Sequence, residues 1–426
     1  MPKNHVLPVA DLIAERRLFI GDGYRAKNAE LGTDGLPFAR AANIDGGFAL
    51  DGADRFPETE LSRVGEKVST PGDVVFTSKG TVGRFASVRD GTERFVYSPQ
   101  LSFWRSLDAS TIDSRWLYYW MTSPEFRIQY SRVKGQTDMA DYVSLRDQRR
   151  MVITLPPIEE QRAIASVLGA LDDKIELNRR MNETLEALAR AIFTSWFVDF
   201  DPVRARAEGR QPVGMDAETA ALFPDSFEDS PLGPIPSGWQ VLPLDRLANF
   251  LNGLALQRYP PTGDGDLPVI KIPELRSGIT SSTGRASDEV PHQYVVADGD
   301  VLFSWSGSLV AILWSGGAGA LNQHLFRVTS NEYPRWLFYF WIREHLESFR
   351  QIAAGKATTM GHIQRAHLSQ ADCIVPSAEL LRRTTDILEP MLGAIVSHGS
   401  ESRSLVVIRD ALLPKLVSGE VRVTSF

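Results

Sequence analysis

The side chains best suited to catalysis or metal binding in this sequence are seven histidines and one cysteine. His362, His367 and Cys373 come nearest to a metal-binding cluster, but their spacing matches none of the common zinc sites. Gly316 to Gly319 lacks the helix and the following acid that a dinucleotide-binding turn needs, and the sequence holds no Gly-x-x-x-x-Gly-Lys-Ser/Thr phosphate loop. We therefore predict neither a metal ion nor a nucleotide on this chain.

Methyl transfer and hydrolysis also lack a recognisable site. The closest string to the Asn/Asp-Pro-Pro-Tyr motif of amino-methyltransferases is Asp201-Pro202-Val203, which misses the second proline and the aromatic residue. The paired acids Glu159-Glu160 and Asp172-Asp173 have the pattern of solvated helix faces. The sequence therefore indicates a protein that recognises a target while another protein performs the chemistry.

The composition is that of an ordinary globular protein with two domains. The 426 residues are 43% hydrophobic, which is enough for substantial cores. No apolar run has the length of a membrane span or of a signal-peptide core, and one cysteine makes no disulfide framework, so we expect a cytoplasmic protein. The net charge of -7 lies in residues 151–240, which carry 8 basic and 15 acidic side chains. The remainder is near neutral and can still form a locally basic groove.

The elements that must position any recognition site recur after about 220 residues. The recurring phrases are Gly72 to Phe76 with Gly299 to Phe303, Arg115 to Tyr119 with Arg335 to Tyr339, and Leu155 to Pro157 with Ile374 to Pro376. Their order is kept and their spacing changes slowly, which is typical of a duplicated domain with altered loops.

Each copy predicts a mixed α and β domain. Short β-branched and aromatic runs bounded by turn residues predict strands at residues 73–77, 94–97, 300–304 and 311–314. Aromatic runs predict helices at residues 114–123 and 334–342, whose rings we assign to the core rather than to base stacking.

A long helix is predicted after each copy. From Ile164 to Trp196, mostly apolar residues recur in steps of 4 and 3, and a shift of 220 gives a second seam from Thr384 to Leu416. Both seams are polar at the same two central positions, so antiparallel packing predicts Asn178 near Ser402 and Asn182 near His398. Pro390 is expected to kink or delay the second helix.

Several phrases together resemble the conserved regions of type I restriction-modification specificity subunits. These phrases are Leu155 to Ala165, Ile235 to Trp239, Leu412 to Val421 and the two Gly-Asp-Val/Leu-Phe strands. The resemblance covers essentially the whole chain. One departure is Pro376 to Leu380, which lacks the double proline and the Glu-Gln pair of the first copy, so its helix start is expected to dock a partner differently.

The resemblance implies an α+β fold. Two similar mixed α/β target recognition domains would be separated by two long antiparallel helices in a pseudo-twofold arrangement. The expected segments are recognition domain 1 at 1–157, spacer helix 1 at 158–200, a linker at 201–237, recognition domain 2 at 238–376 and spacer helix 2 at 377–421. A spacer of fixed length would turn two short recognition events into one bipartite event with a fixed gap.

The resemblance also implies partners. Two methylation subunits would dock on the helices and recognition domains, bind S-adenosylmethionine and methylate one adenine in each half of a split double-stranded DNA target. Two restriction subunits, which use ATP and Mg, can join them to translocate and cut DNA. No cofactor, metal or membrane is expected on this chain. Two alternatives stay open: a divergent DNA methyltransferase or nuclease with its own site, and a helical scaffold whose globular copies bind protein.

Base and phosphate contacts require forked donors and acceptors on loops held by a rigid scaffold. In the first copy the best loop follows residues 73–77 and offers Ser78, Lys79, Thr81 and Arg84, with Gly80 and Gly83 allowing close approach. The second choice is Lys134, Gln136 and Thr137. The third choice is Tyr24, Arg25, Lys27, Arg40 and Asn43.

The second copy offers the corresponding loops with different side chains. The candidates are Ser304, Trp305 and Ser306 after the strand, Lys356, Thr358, Thr359 and His362 in the second loop, Arg258, Tyr259 and Lys271 as third choices, and Asn322 and Gln323, which we align with Pro99 and Gln100. The loop of Ser304 to Ser308 has no cation, so the two copies are expected to read different sequences.

Overall fold

The computed structural model describes residues 5–44, 46–133, 141–355 and 361–423. The chain divides into two compact units. Unit 1 is Met1–Asp173 with Leu405–Phe426, and unit 2 is Lys174–Ser404.

Unit 1 is built from short strands and helices. Its elements are β1 (His5–Pro8), α1 (Val9–Ala14), β2 (Leu18–Asp22), β3 (Leu36–Ala39), β4 (Arg55–Phe56), β5 (Val74–Thr77), β6 (Phe85–Ser87), β7 (Val96–Tyr97), β8 (Leu101–Ser106), α2 (Ser114–Thr122), α3 (Pro124–Val133), α4 (Leu145–Arg149), β9 (Val152–Leu155) and the first part of α5 (Ile158–Phe197). The strands form an antiparallel sheet of order β2-β8-β5-β6, a sheet of order β4-β3-β7 whose β3 and β7 are parallel, and the pair β1-β9.

Unit 2 repeats this topology. Its further elements are α6 (Asp201–Ala207), α7 (Ala217–Ala221), β10 (Phe227–Ser230), β11 (Gly233–Pro236), β12 (Gln240–Pro243), α8 (Leu244–Leu247), β13 (Asn249–Asn252), β14 (Leu267–Ile270), α9 (Ile272–Ser277), β15 (Arg285–Ala286), β16 (Val295–Val296), β17 (Val301–Ser304), β18 (Ala311–Leu313), β19 (Gly319–Leu321), β20 (Leu325–Thr329), α10 (Arg335–Ala354), α11 (Arg365–Leu368), β21 (Asp372–Val375) and the first part of α12 (Ala378–Val417). Three sheets of unit 2 correspond to those of unit 1: β13-β20-β17-β18, β15-β14-β19-β16 and the pair β12-β21. Strands β10 and β11 form an additional hairpin. The predicted α+β class and the repeat are confirmed.

The aromatic helices belong to the cores. Trp116, Tyr119 and Trp120 of α2 are buried, and Asp113 caps the helix by accepting a hydrogen bond from Trp116 N at 2.8 Å. In unit 2 the corresponding helix runs on to Ala354, well beyond the predicted end at residue 342. The difference has a local cause: Ser123-Pro124 separates α2 from α3, whereas Arg343-Glu344 stands at the equivalent place and does not interrupt the helix.

The two long helices pack antiparallel, as their seams predict. Within unit 2, Asn178 Nδ2 lies 3.2 Å from Ser402 Oγ, and Asn182 Oδ1 lies 2.9 Å from His398 Nδ1, so both predicted pairs are confirmed. The α12 helix begins at Ala378 and continues through Pro390, so the expected delay is wrong. Leu388 and Leu392, on either side of this proline, are fully buried, and their packing offsets the lost backbone hydrogen bond.

Asp172 corrects the prediction of a solvated acid pair. Its carboxylate is nearly buried, accepts a hydrogen bond from Tyr119 Oη at 2.7 Å and pairs with Arg409 of α12 at 2.9 Å. Burial, followed by the charge of Asp172, raises the pKa of the Tyr119 phenol. Only Asp173 is exposed, because residue 172 falls one helical turn after the buried Leu168. Asp172 therefore ties α2, α5 and α12 together within unit 1.

No helix among the described residues has both the length and the apolar character needed to cross a membrane.

Candidate nucleic-acid interface

The loop after β5 is shaped by hydrogen bonds to the last residue of that strand. Thr77 Oγ1 donates to Thr81 O at 2.5 Å and accepts from Arg84 N at 3.0 Å. Gly80 and Gly83 take φ values of 83° and 105°, in the region that favours glycine. The turn leaves Lys79 and Thr81 exposed at its tip.

Residues 141–143 form the second wall of this loop. Gly80 N donates to Asp141 O, and Val143 N donates to Ser78 O, each at 2.9 Å. The ammonium group of Lys79 lies 5.9 Å from the centre of the Tyr142 ring.

The segment after β3 completes the arrangement. Gln100 O accepts from Ser78 N at 2.9 Å, and Gln100 Oε1 accepts from Ala41 N at 3.2 Å. The Arg84 guanidinium lies 3.4 Å from Ile44 O. Because strands β3, β5 and β7 end on the same side of unit 1, residues 40–44, 78–84, 98–100 and 141–143 meet there, and we call them the first loop cluster.

The same hydrogen bonds recur in unit 2. Ser304 Oγ donates to Ser308 O at 2.8 Å, as Thr77 Oγ1 donates to Thr81 O. Gly307 N donates to Gly361 O at 2.8 Å, and Ile363 N donates to Trp305 O at 3.0 Å; these match the bonds of Gly80 N to Asp141 O and of Val143 N to Ser78 O. Trp305 N donates to His324 O at 3.3 Å, as Ser78 N donates to Gln100 O. We call residues 271–274, 305–310, 322–324 and 361–363 the second loop cluster. The loop framework is thus duplicated along with the sheets.

These bonds correct one alignment made from sequence. His324, and not Gln323, takes the place of Gln100, because both accept from the residue that follows the central strand. Asn322 then corresponds to Ser98, since Asn322 N donates to Ile270 O as Ser98 N donates to Ala39 O. The alignment from sequence is wrong by one residue because it matches the glutamine that both strings contain.

The side chains at equivalent positions differ in charge and size. Lys79 and Tyr142 of the first cluster are replaced by Ser306 and His362, which form the matching isolated β-bridge. Arg84 is replaced by Val310. Lys271 takes the place of Arg40, since Lys271 N donates to Glu274 at 3.0 Å as Arg40 N donates to Asn43 at 2.8 Å.

Several predicted contact residues lie behind the exposed surface. Ser78, Ser304, Ser306 and Asn322 are buried. Ser306 Oγ lies 3.0 Å from His324 Nδ1, and Trp305 Nε1 donates to Asn252 Oδ1 at 2.9 Å. These hydrogen bonds hold the loops of the second cluster in place.

The remaining predicted residues are dispersed. The Tyr24 ring packs edge-on against Phe56, and Arg25 and Lys27 are exposed beyond it. Arg40 pairs with Asp54 at 2.7 Å, and Asn43 Nδ2 donates to Ala49 O at 2.7 Å.

In unit 2, Arg258 is exposed, the backbone carbonyl of its neighbour Tyr259 accepts from Ser287 N at 3.1 Å, and Gln323 Nε2 lies 3.5 Å from His324 Nε2. Lys134, Gln136, Thr137, Lys356, Thr358 and Thr359 lie outside the described residues.

Three residues of the clusters are missing from the sequence prediction. Gln100 is exposed and bonded across the cluster, Tyr142 lies beside Lys79, and His324 lies beside Ser306. The signal for Tyr142 was present, because it precedes His362 by the same 220 residues that separate the aromatic helices.

The comparisons with known proteins agree with the duplicated architecture. The family model for the type I restriction modification DNA specificity domain matches residues 37–187 and again residues 236–397. The chain is 24% identical over 427 residues to the HindI type I restriction enzyme specificity subunit of Haemophilus influenzae, with 86% of this chain and 92% of that protein covered. It is 23% identical over 398 residues to the MjaIX specificity subunit of Methanocaldococcus jannaschii, with 90% and 85% covered.

A solved structure has the same fold. The crystal structure of a type I restriction-modification S subunit from M. genitalium matches with a TM-score of 0.56 at 14% identity, and the match covers 97% of this chain and 96% of that one.

Proposed function

Because this chain belongs to the type I restriction modification DNA specificity family, we propose that its two loop clusters each read one half of a split DNA target. The chain is the specificity subunit of such a system. We take residues 1–157 and 238–376 as the recognition domains, 158–200 and 377–421 as the spacer helices, and 201–237 as the linker.

The observation that carries this proposal is one hydrogen-bonded loop framework that presents different side chains in the two units. The shared loop framework would place both loops against DNA in the same way, because contacts to the DNA phosphates do not depend on the base sequence. Different side chains at its tip serve different base edges. We assign base or phosphate contacts to Lys79, Thr81 and Arg84 in the first cluster.

The second cluster offers a different set of donors and acceptors. His324 and His362 each carry ring nitrogens, Lys271 is exposed, and the loop tip presents the exposed hydroxyl group of Ser308 in place of a cation. An imidazole and a hydroxyl each both donate and accept, so this cluster suits bases other than those that a lysine and an arginine contact. The outer residues Tyr24, Arg25, Lys27, Arg258 and Tyr259 are assigned to backbone contacts at the edge of the footprint.

Methylation and cleavage are assigned to partner subunits. We propose that methylation subunits supply S-adenosylmethionine chemistry on adenine, and that restriction subunits supply ATP- and Mg-dependent cleavage. Support comes from apolar side chains left exposed on α5: Leu177, Met181 and Leu188 are 51%, 39% and 48% exposed. Their spacing of 4 and 7 places them on one face of the helix, which is typical of a surface that a protein partner covers.

The decisive experiment is to map methylated adenines. The chain is expressed with its methylation subunit in cells that lack adenine methylation, and genomic DNA is read for modified bases. We expect one interrupted motif with a fixed gap, and no methyl transfer from labelled S-adenosylmethionine by the isolated chain. Robust transfer by the isolated chain, or methylation without a bipartite motif, contradicts the proposal.

A further inference from the structure

A groove of about 580 Å³ lies beside the reading loop of unit 2. One wall is the loop itself, at Gly307, Ser308 and Leu309, and the other walls carry Arg276 and Arg350. The groove thus adds two guanidinium groups to a loop cluster whose own tip has no cation.

Arg350 is held against this loop. Its Nη2 and Nε lie 3.2 and 3.4 Å from Leu309 O, and half of its side chain stays exposed. Glu347 approaches Nη1 only at 3.4 Å and is itself 70% exposed, so water screens this pair. The guanidinium therefore keeps donors and charge for a further anionic partner.

Arg276 lies at the end of α9 and is exposed. Within the described ranges it makes no hydrogen bond or ion pair, so its charge is available to a ligand in the groove.

Among the described residues, unit 1 differs from unit 2 in where its cations stand at three matched positions. The position of Arg350 is occupied there by Tyr130, whose hydroxyl group lies beside Gly83. Lys79 and Arg84 stand on the loop of unit 1, whereas Ser306 and Val310 stand at those places in unit 2. At these described positions, unit 1 carries its cations on the loop, whereas unit 2 carries Arg350 on the groove wall.

We propose that Arg276 and Arg350 bind backbone phosphates of the DNA half-site that unit 2 reads, and so supply the charge that Lys79 and Arg84 supply in unit 1. This assignment rests on the proposed function of the second loop cluster. The forked N–H groups of a guanidinium fit phosphate oxygens. If the loop of Gly307 to Leu309 enters the major or minor groove of the duplex, the DNA backbone passes beside that loop, where this protein groove lies.

The assignment predicts a change in salt dependence without a change in sequence preference. Each phosphate contact contributes about 0.9 to the slope of log Kobs against log salt for B-form DNA. Loss of both arginines therefore reduces the magnitude of this slope by about 1.8, and it weakens binding to all sequences alike.

The test measures DNA binding by the chain assembled with its methylation subunit, on the target found by methylation mapping, at a series of NaCl concentrations. Arg276→Gln with Arg350→Gln is compared with Arg276→Lys with Arg350→Lys, which keeps the charges. Arg204→Gln is the matched control, because Arg204 is also exposed and donates to a backbone carbonyl, that of Asp199, at 3.0 Å. We expect a shallower salt dependence only when Arg276 and Arg350 are both replaced by glutamine, and unchanged methylated motifs in all three variants.

An unchanged slope in the double variant of Arg276→Gln with Arg350→Gln overturns the assignment. Should Arg350→Gln lower the thermal stability of the chain, the single variant Arg276→Gln decides, because that side chain has no partner within the described part to lose; its slope must fall by about 0.9. Absence of sequence-dependent binding by the wild-type complex overturns the proposed function itself. Specific wild-type binding with an unaltered variant slope overturns only the phosphate assignment.

Discussion

Ser78 and Trp305 occupy the same position in the two units and use it differently. Both donate a backbone N–H across the loop cluster, to Gln100 O and His324 O respectively. The Ser78 side chain is buried, whereas the Trp305 indole is half-buried and bonded to Asn252. At the residue scale, the backbone bonds keep the loop geometry while the side chains are free to vary.

Gly83 permits a close approach that a larger residue cannot make. Its φ of 105° is strained for any L side chain, and a Cβ there would lie 2.9 Å from Tyr130 Oη. We expect Gly83→Ala to lower the free energy of unfolding by about 1–3 kcal/mol and to weaken binding at the half-site read by unit 1. Urea denaturation and DNA binding measure the two effects.

Gly47→Ala is the control for this change, because Gly47 has no positive φ and its added Cβ meets nothing within 4 Å. Equal stability of the two variants contradicts the role assigned to Gly83.

Among the elements, the aromatic helices α2 and α10 differ in length because only the first is followed by a proline. Ser123-Pro124 ends α2, and without a proline at the equivalent place α10 continues for 20 residues in all. That extension carries Arg350 to the reading loop as part of one continuous helix. The length of α10 therefore places the Arg350 guanidinium beside the second loop cluster.

Asp216 joins the segment between the two copies to α12. It caps α7 by accepting from Thr219 N at 2.8 Å, and it pairs with Arg383 at 3.1 Å. The backbone N–H of Thr219, then its hydroxyl group and the Arg383 guanidinium, lower the pKa of Asp216 to about 2. Since the folded pKa lies below the unfolded one, the charge stabilises the fold above about pH 4 and this contribution is lost as the pH falls toward 2.

We expect Asp216→Asn to remove this pH-dependent part, because asparagine caps a helix about as well but carries no charge. Urea denaturation from pH 7 to pH 3 should show the variant and wild type converging as the pH falls. Glu218→Gln, which changes another exposed acid of the same helix, is the control. A constant difference between Asp216→Asn and wild type across this range contradicts the linkage.

For the whole molecule, the exposed apolar face of α5 is the surface that we propose methylation subunits cover. Leu188 is 48% exposed on that face, and Leu232, in the turn between β10 and β11, is exposed to the same extent. We expect Leu188→Asp to weaken assembly with methylation subunits at least tenfold, since a charge would be buried in the contact. Leu232→Asp should assemble as the wild type does.

Titration of the methylation subunit against each variant, followed by size-exclusion chromatography, measures this assembly. Equal weakening by both substitutions means that any added surface charge weakens assembly, and this contradicts a docking role for the face.

The amino-acid sequence determined the duplication, the mixed α and β class, the long helices and the pairing of Asn178 with Ser402, because repeated phrases and helical periodicity are local properties of the chain. It also identified Lys79 and Arg84 as cations of a glycine-containing loop. It did not reveal that Gln100 and Tyr142 join that loop, or that Arg350 lies beside Leu309, because these contacts join residues 22 to 63 positions apart. Only the tertiary structure decided which side chains share a surface, since strand order and helix length bring distant residues together and bury others that look exposed in sequence.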